Sequence, residues 1–201
     1  LSMYKIIMLS LCCSIGFLGF SCNDSDESTD NATKENVPDP GAKNLEGMMT
    51  KLQKAIHSGD TSTAAEMSRG LLVNADELED LLSADCPVEI KENIVKMHAR
   101  FSSAPDSAIA KLLMAKPEQT NITAHPSTGA EIKEYKKGSL AFKEFPGGAR
   151  SLAVRGVFNE DMTYYEVELI APDKEYGMKY HLFVWDGSGW KILGPIWRKA
   201  R

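Results

Sequence analysis

Apolar residues fall into three regimes along this chain of 201 residues. The first is one continuous block: the fifteen positions Ile6 to Phe20 carry no charge, follow Lys5, and stop at Ser21-Cys22-Asn23-Asp24. The second is helical periodicity. Leu45, Met48, Met49, Leu52, Ala55 and Ile56 recur three and four residues apart until Ser58-Gly59-Asp60, which predicts an amphipathic helix with one core face. A second short helix is expected over Thr63 to Leu72. Asn74 and Glu77 stand at capping-box spacing before Leu78, Leu81 and Leu82, so a third helix begins there. Pro87 suits the first turn of another, in which Ile90, Ile94, Met97 and Phe101 share a face. Ser103 and Pro105 open a further short helix with Ile109, Leu112 and Leu113.

The third regime starts after Lys116-Pro117. Residues 118–125 read as a short strand, and Thr128 with Glu131 as the capped start of a helix ending near Gly138. Ser139 to Phe145 reads as another strand, closed by Pro146-Gly147-Gly148, with a helical turn over Ala149 to Val154. Alternation then takes over. Tyr165, Val167 and Leu169 point one way, and Tyr164, Glu166 and Glu168 the other. Met178 to Trp185 is the next strand, Asp186-Gly187-Ser188-Gly189 a hairpin turn, and Trp190 to Trp197 the returning partner. A helical N-terminal half followed by an antiparallel sheet ending in a three-stranded meander is an α+β fold.

Between the first two regimes, residues 23–44 hold six acids, two lysines and one strong hydrophobe, Val37. Such a stretch cannot bury enough apolar surface to offset its ordering entropy, so it is expected to be a disordered tether. As a flexible coil it would span roughly 25 Å. A basic start, a short apolar run and a small residue before the cut describe a secretory signal. The run is shorter than the about 20 residues that a spanning helix needs, which makes an uncleaved anchor the weaker reading. Cys22 directly after Ser21 resembles the lipobox of bacterial lipoproteins, with Gly19 where that pattern usually has Leu. The resemblance implies cleavage before Cys22, its lipidation, and a membrane-lipid partner. It also implies export to the cell envelope, at the periplasmic face of the outer membrane or the cell surface. The expected organisation is leader 1–21, acidic tether 22–44 and a single α+β domain 45–201.

Charge and cysteines narrow the picture. Without the leader, 22 basic and 28 acidic residues remain, a formal charge of −6. A nucleic-acid binder would carry a basic face, so no nucleic-acid partner is expected. Only Cys22 and Cys86 survive cleavage. With Cys22 lipidated, stability has to come from packing rather than from a disulfide. Cys86 precedes Pro87 at a helix start, where the dipole can lower a thiol pKa. A small buried hydrophobe is its plainer account.

Candidate chemistry is sparse. Phosphate loops, nucleophile elbows and paired-cysteine metal motifs are absent from the sequence, so neither a cofactor nor a metal is expected. His57, His98, His125 and His181 are far apart, and each lacks a neighbour at ligand spacing. The ending Trp185-Asp186-Gly187-Ser188-Gly189-Trp190-Lys191-Ile192 resembles the last hairpin of NTF2-like (SnoaL-like) domains, a likeness covering about 35 residues. It implies a curved sheet and helices around a conical cavity; a cystatin-like sheet would read the same. On such a sheet His181 would share a face with Phe183, Trp185 and Lys179, and with Glu166 or Glu168 could form an acid–base pair. A histidine satisfied by a neighbour is the plainer account. Candidate ligand contacts are therefore His181, Glu168, Tyr165 and Trp185, with no catalytic residue assigned. The leading expectation is an envelope lipoprotein that serves as a ligand-binding, protein-binding or structural module; the alternative is a small NTF2-like enzyme using His181 with a sheet carboxylate.

Overall fold

A computed structural model describes residues 38–113 and 116–198. The leader 1–21, the lipidation candidate Cys22, the tether up to Val37 and residues 199–201 lie outside the described residues. Among those described, no helix is long and apolar enough to cross a membrane.

Among the described residues, five helices precede the sheet. Helix α1 (Ala42–Ser58) buries Leu45, Met49 and Leu52 and closes on Gly59 at φ 77°. It begins three residues before the expected domain start at 45, because its entry is tied to the fold. The Asp39 carboxylate accepts the Gly41 N–H at 2.8 Å and the Tyr165 hydroxyl at 2.7 Å, and Asn44 Oδ1 accepts Trp190 Nε1–H at 2.9 Å. Helix α2 (Thr61–Gly70) is capped by Asp60. Helix α3 (Ala75–Leu81) has the expected Asn74–Glu77 capping box. Helix α4 (Val88–Ser102) starts after Pro87 and buries Ile90, Ile94 and His98. Helix α5 spans only Asp106–Ile109, so Leu112 and Leu113 fall in the turn after it.

Four strands form one antiparallel sheet in the order β1 (Asn121–Thr128), β2 (Thr163–Ile170), β3 (Met178–Trp185), β4 (Trp190–Ile192). The expected meander is β2-β3-β4, and β1 adds to its other edge. In the hairpin turn, the Asp186 side chain accepts the N–H groups of Ser188 and Gly189 at 2.8 and 2.7 Å. Between β1 and β2 lie helices α6 (Gly129–Glu134), α7 (Leu140–Glu144) and α8 (Gly147–Val154). The strand expected over Ser139 to Phe145 is therefore a helix. Ser139 caps it through the Phe142 N–H, and Ala141 and Phe145, four apart, are buried while Leu140 and Phe142 are exposed. The alternation of a seven-residue segment did not distinguish the two periods. The last strand is also shorter than expected. Gly194 (φ 74°) and Pro195 turn the chain away, and Ile196–Arg198 is a 3-10 turn.

The sheet is the middle of three layers. On one face Tyr164, Leu182 and Val184 pack with α3, α4, α6 and α8 residues such as Leu81, Ile94, Ile132 and Leu152. On the other, Tyr165, Val167, Leu169, Phe183 and Trp190 pack with α1, α2 and α5 through Leu45, Leu52, Ala65 and Ile109. Edge β1 is protected from pairing. Glu46 of α1 accepts the outward N–H of Ala124 at 3.1 Å, and Pro126, of the same parity, removes the next outward donor.

A β-bulge in β3 decides which side chains meet. Tyr165 opposes Phe183 and Val167 opposes Tyr180, so two residues, His181 and Leu182, stand against Glu166. Leu182 takes φ 60°, in the left-handed region. The extra residue flips the alternation. His181 consequently faces the side of Leu182 and Val184, not that of Phe183 and Trp185 as strict alternation implied.

Candidate functional site

On the α4–α8 side, one end of the sheet face is polar. His125 of β1 lies opposite Glu166 of β2, which lies opposite the bulged His181 of β3; in the neighbouring row Glu168 opposes Lys179. Glu144 of α7 reaches into this strip from above. Helix α7 therefore matters to the site, and a strand at 139–145 could not have delivered that carboxylate.

Glu166 is fully buried. One of its oxygens is hydrogen-bonded to His181 Nδ1, while Oε1 has no partner. Burial raises its pKa above the ordinary carboxylate value, against the pull of the His181 ring and the Leu182 amide. His181 in turn meets the indole of Trp197 edge-on, with ring centroids 5.0 Å apart. The indole lies on α8 where Gly148 has no side chain; a Cβ there would come within 2.3 Å of Trp197 Cδ1. His181 is thus fixed by a carboxylate on one side and an aromatic ring on the other.

The second group is His125, Glu144, Glu168 and Lys179. His125 Nε2 is 3.8 Å from Glu144 Oε2 and 3.9 Å from Glu168 Oε2, and it is buried without a hydrogen-bond partner. Lys179 Nζ is 2.7 Å from Glu144 and 4.0 Å from Glu168. Burial pushes the Glu144 pKa up, but hydrogen bonding to Lys179 and the charges of His125 and Lys179 outweigh it and hold the carboxyl below its usual range. These three donors, one imidazole and two carboxylates, are the set among the described residues that could hold a metal ion.

Beside the strip lies an apolar cavity of about 350 Å³. It exists because β4 pairs only with Phe183 to Trp185, leaving the edge of β3 from Lys179 to His181 that faces away from β2 without a strand neighbour. Met97, His98 and Phe101 of α4, Leu112 and Leu113 after α5, and Ile192 to Pro195 close around that stretch, with exposed Arg198 at the rim. His98 is a structural member of this wall. Its Nδ1 accepts the Val73 N–H at 3.0 Å, and its other nitrogen bonds the Leu193 backbone. Burial drops its pKa to about 4.

The four candidate contacts divide between the two faces. His181 and Glu168 share the polar strip. Tyr165 and Trp185 belong to the opposite core, where both rings meet Trp190 edge-on at 5.1 and 5.4 Å. The sequence pointed to Glu166 only as one possible partner of His181, set His125 aside for want of a neighbour at ligand spacing, and gave no sign of Glu144. His125 and Glu144 are 19 positions apart along the chain, and only the β1–β2 register and α7 unite them. Cys86 is buried as expected, with its thiol pushed up to about 11 by desolvation.

Comparison with known protein families, with curated proteins and with solved structures gives no significant match.

Proposed function

We propose that this chain is an exported lipoprotein, held at the envelope membrane through acylated Cys22, whose α+β domain binds a small apolar molecule bearing an anionic group. The cavity beside His181 carries the reading. Its volume of about 350 Å³ lies within the roughly 300–1,000 Å³ of small-molecule sites, which are typically apolar with a few fixed polar groups. Here those groups are His181, Lys179 and Arg198; Lys179 is already paired with Glu144, so Arg198 at the rim is the cation that favours an anionic head over a cationic one. The hairpin's likeness to NTF2-like domains supports the same idea of a ligand cavity next to the sheet, though this one opens at the β3 edge.

Binding is tested with 1-anilinonaphthalene-8-sulfonate, an aromatic anion, and with decanoate as competitor. One displaceable site is expected. Leu112→Trp fills the cavity and should abolish binding, and Arg198→Ala should weaken it about tenfold, the equivalent of about 1.4 kcal/mol. Unchanged binding to Leu112→Trp would rule the cavity out. Acylation is tested separately: Cys22→Ser should end incorporation of labelled fatty acid.

A second reading, an acid–base enzyme, rests on the Glu166–His181 pair, since a buried carboxylate that orients an imidazole is the arrangement of a general base. Analysis of the recovered ligand separates the two readings. Binding returns it intact, whereas catalysis returns it altered.

A further inference from the structure

We infer that His125, Glu144 and Glu168 form a site for a divalent first-row metal ion, with Lys179 as an internal cation that the metal displaces. Three different elements, β1, α7 and β2, bring these donors together, and the three ligand atoms lie within 4.8 Å of one another. The observation that points beyond a chance cluster is His125 Nε2. It is buried, makes no hydrogen bond, and faces both carboxylates at 3.8 and 3.9 Å. A buried ring nitrogen left unpaired costs about 1–3 kcal/mol, and coordination would satisfy it.

Geometry and charge agree. Bonds of about 2.0–2.2 Å to nitrogen and oxygen in a tetrahedral site put donors roughly 3.3–3.5 Å apart. Closing the two histidine–carboxylate separations from 3.8 and 3.9 Å therefore takes a few tenths of an ångström each, and the two carboxylates, within 4.8 Å of each other, have at most about 1.5 Å to close. Two carboxylates carry two negative charges, and Lys179, at 2.7 Å from Glu144 and 4.0 Å from Glu168, offsets one of them. A divalent ion offsets both. One imidazole with two carboxylates and no thiolate suits Zn²⁺ or Mn²⁺ rather than a soft ion. The three side chains are 12 to 20% exposed, which leaves an entry path and room for water as a further ligand. Lys179 is the competitor, and this makes the idea testable in two directions.

Calorimetric titration of the purified full-length protein with Zn²⁺ is expected to show one equivalent bound in the micromolar range or tighter. His125→Ala and Glu168→Gln should each weaken binding at least about tenfold. Lys179→Met should tighten it about tenfold, because it removes the competing charge. A variant that merely misfolds cannot gain affinity, so the lysine variant keeps the test decisive if His125→Ala is unstable. Three results would overturn the inference: no Zn²⁺ binding up to about 100 μM, affinity indifferent to His125→Ala, or Lys179→Met no tighter than the wild type.

Discussion

Lowering the pH should unfold this domain partly through one side chain, His98. The residue is 3% exposed; its ring accepts the Val73 N–H through Nδ1 and bonds the Leu193 backbone through the other nitrogen. It joins the segment after α2, helix α4 and the end of β4. Protonation would add a charge to this buried site and put a proton on the nitrogen that must accept from Val73. The pKa accordingly falls from 6.5 to about 4. The sign follows from linkage. The unfolded chain takes up a proton below about pH 6.5, the folded chain only near its lower pKa, so the His98 contribution is complete above 6.5 and lost as pH falls towards 4. At roughly 1.4 kcal/mol per pH unit the full effect is about 3 kcal/mol, and most of it is gone by about pH 4.5. That is a substantial part of a stability of about 5–15 kcal/mol. Urea denaturation of the wild type and His98→Gln at about pH 7.5 and about pH 4.5 measures it. Any change that the variant makes to the Val73 bond is the same at both pH values, a constant offset, and its side chain cannot titrate. The stability advantage of the wild type should therefore shrink by about 2–3 kcal/mol between the two conditions. A gap that stays constant within about 0.5 kcal/mol would refute the reasoning.

Glu166 should act with the opposite sign. Its raised pKa means that the folded state keeps a proton the unfolded chain has lost, so its contribution to stability falls as pH rises from the ordinary carboxylate range towards its raised value. Measured against wild type, Glu166→Gln should gain relative stability over that window; a constant difference in denaturation midpoint would contradict this. Gly148→Ala drives a methyl into the Trp197 ring, 2.3 Å away from Cδ1. It should cost about 1–3 kcal/mol in thermal unfolding and shift the tryptophan emission as the indole leaves His181. Unchanged emission would place the ring elsewhere in solution.

The parts of this fold that were legible in the sequence are those encoded locally. Capping pairs Asn74/Glu77 and Thr128/Glu131 both form, and the Asp186-to-Gly189 turn joins two paired strands, because each depends on residues a few positions apart. The outlooks of Tyr164 to Leu169 were also readable, since a strand between two cores shows its alternation directly. The site was less readable. His181 changes face through a bulge at Leu182, a residue whose type gives no hint of φ 60°. Glu144 arrives from a helix whose short segment mimics alternation. His125 meets its partners only through the β1–β2 register, which is a long-range property. Even the domain start moved, because Asp39 and Asn44 find Tyr165 and Trp190 more than a hundred positions later.

The central claim is that the apolar space beside His181 receives a small amphiphilic anion, and methyl NMR tests it most directly. Titrating decanoate into protein labelled at Leu, Ile and Met methyls should move the signals of Leu72, Met97, Leu112, Leu113 and Ile192, which line the cavity. Signals of the α1 core, such as Leu45 and Met49, should stay in place. Saturable shifts confined to the cavity set are the expected result. Shifts absent from that set, or spread evenly over both cores, would contradict the claim.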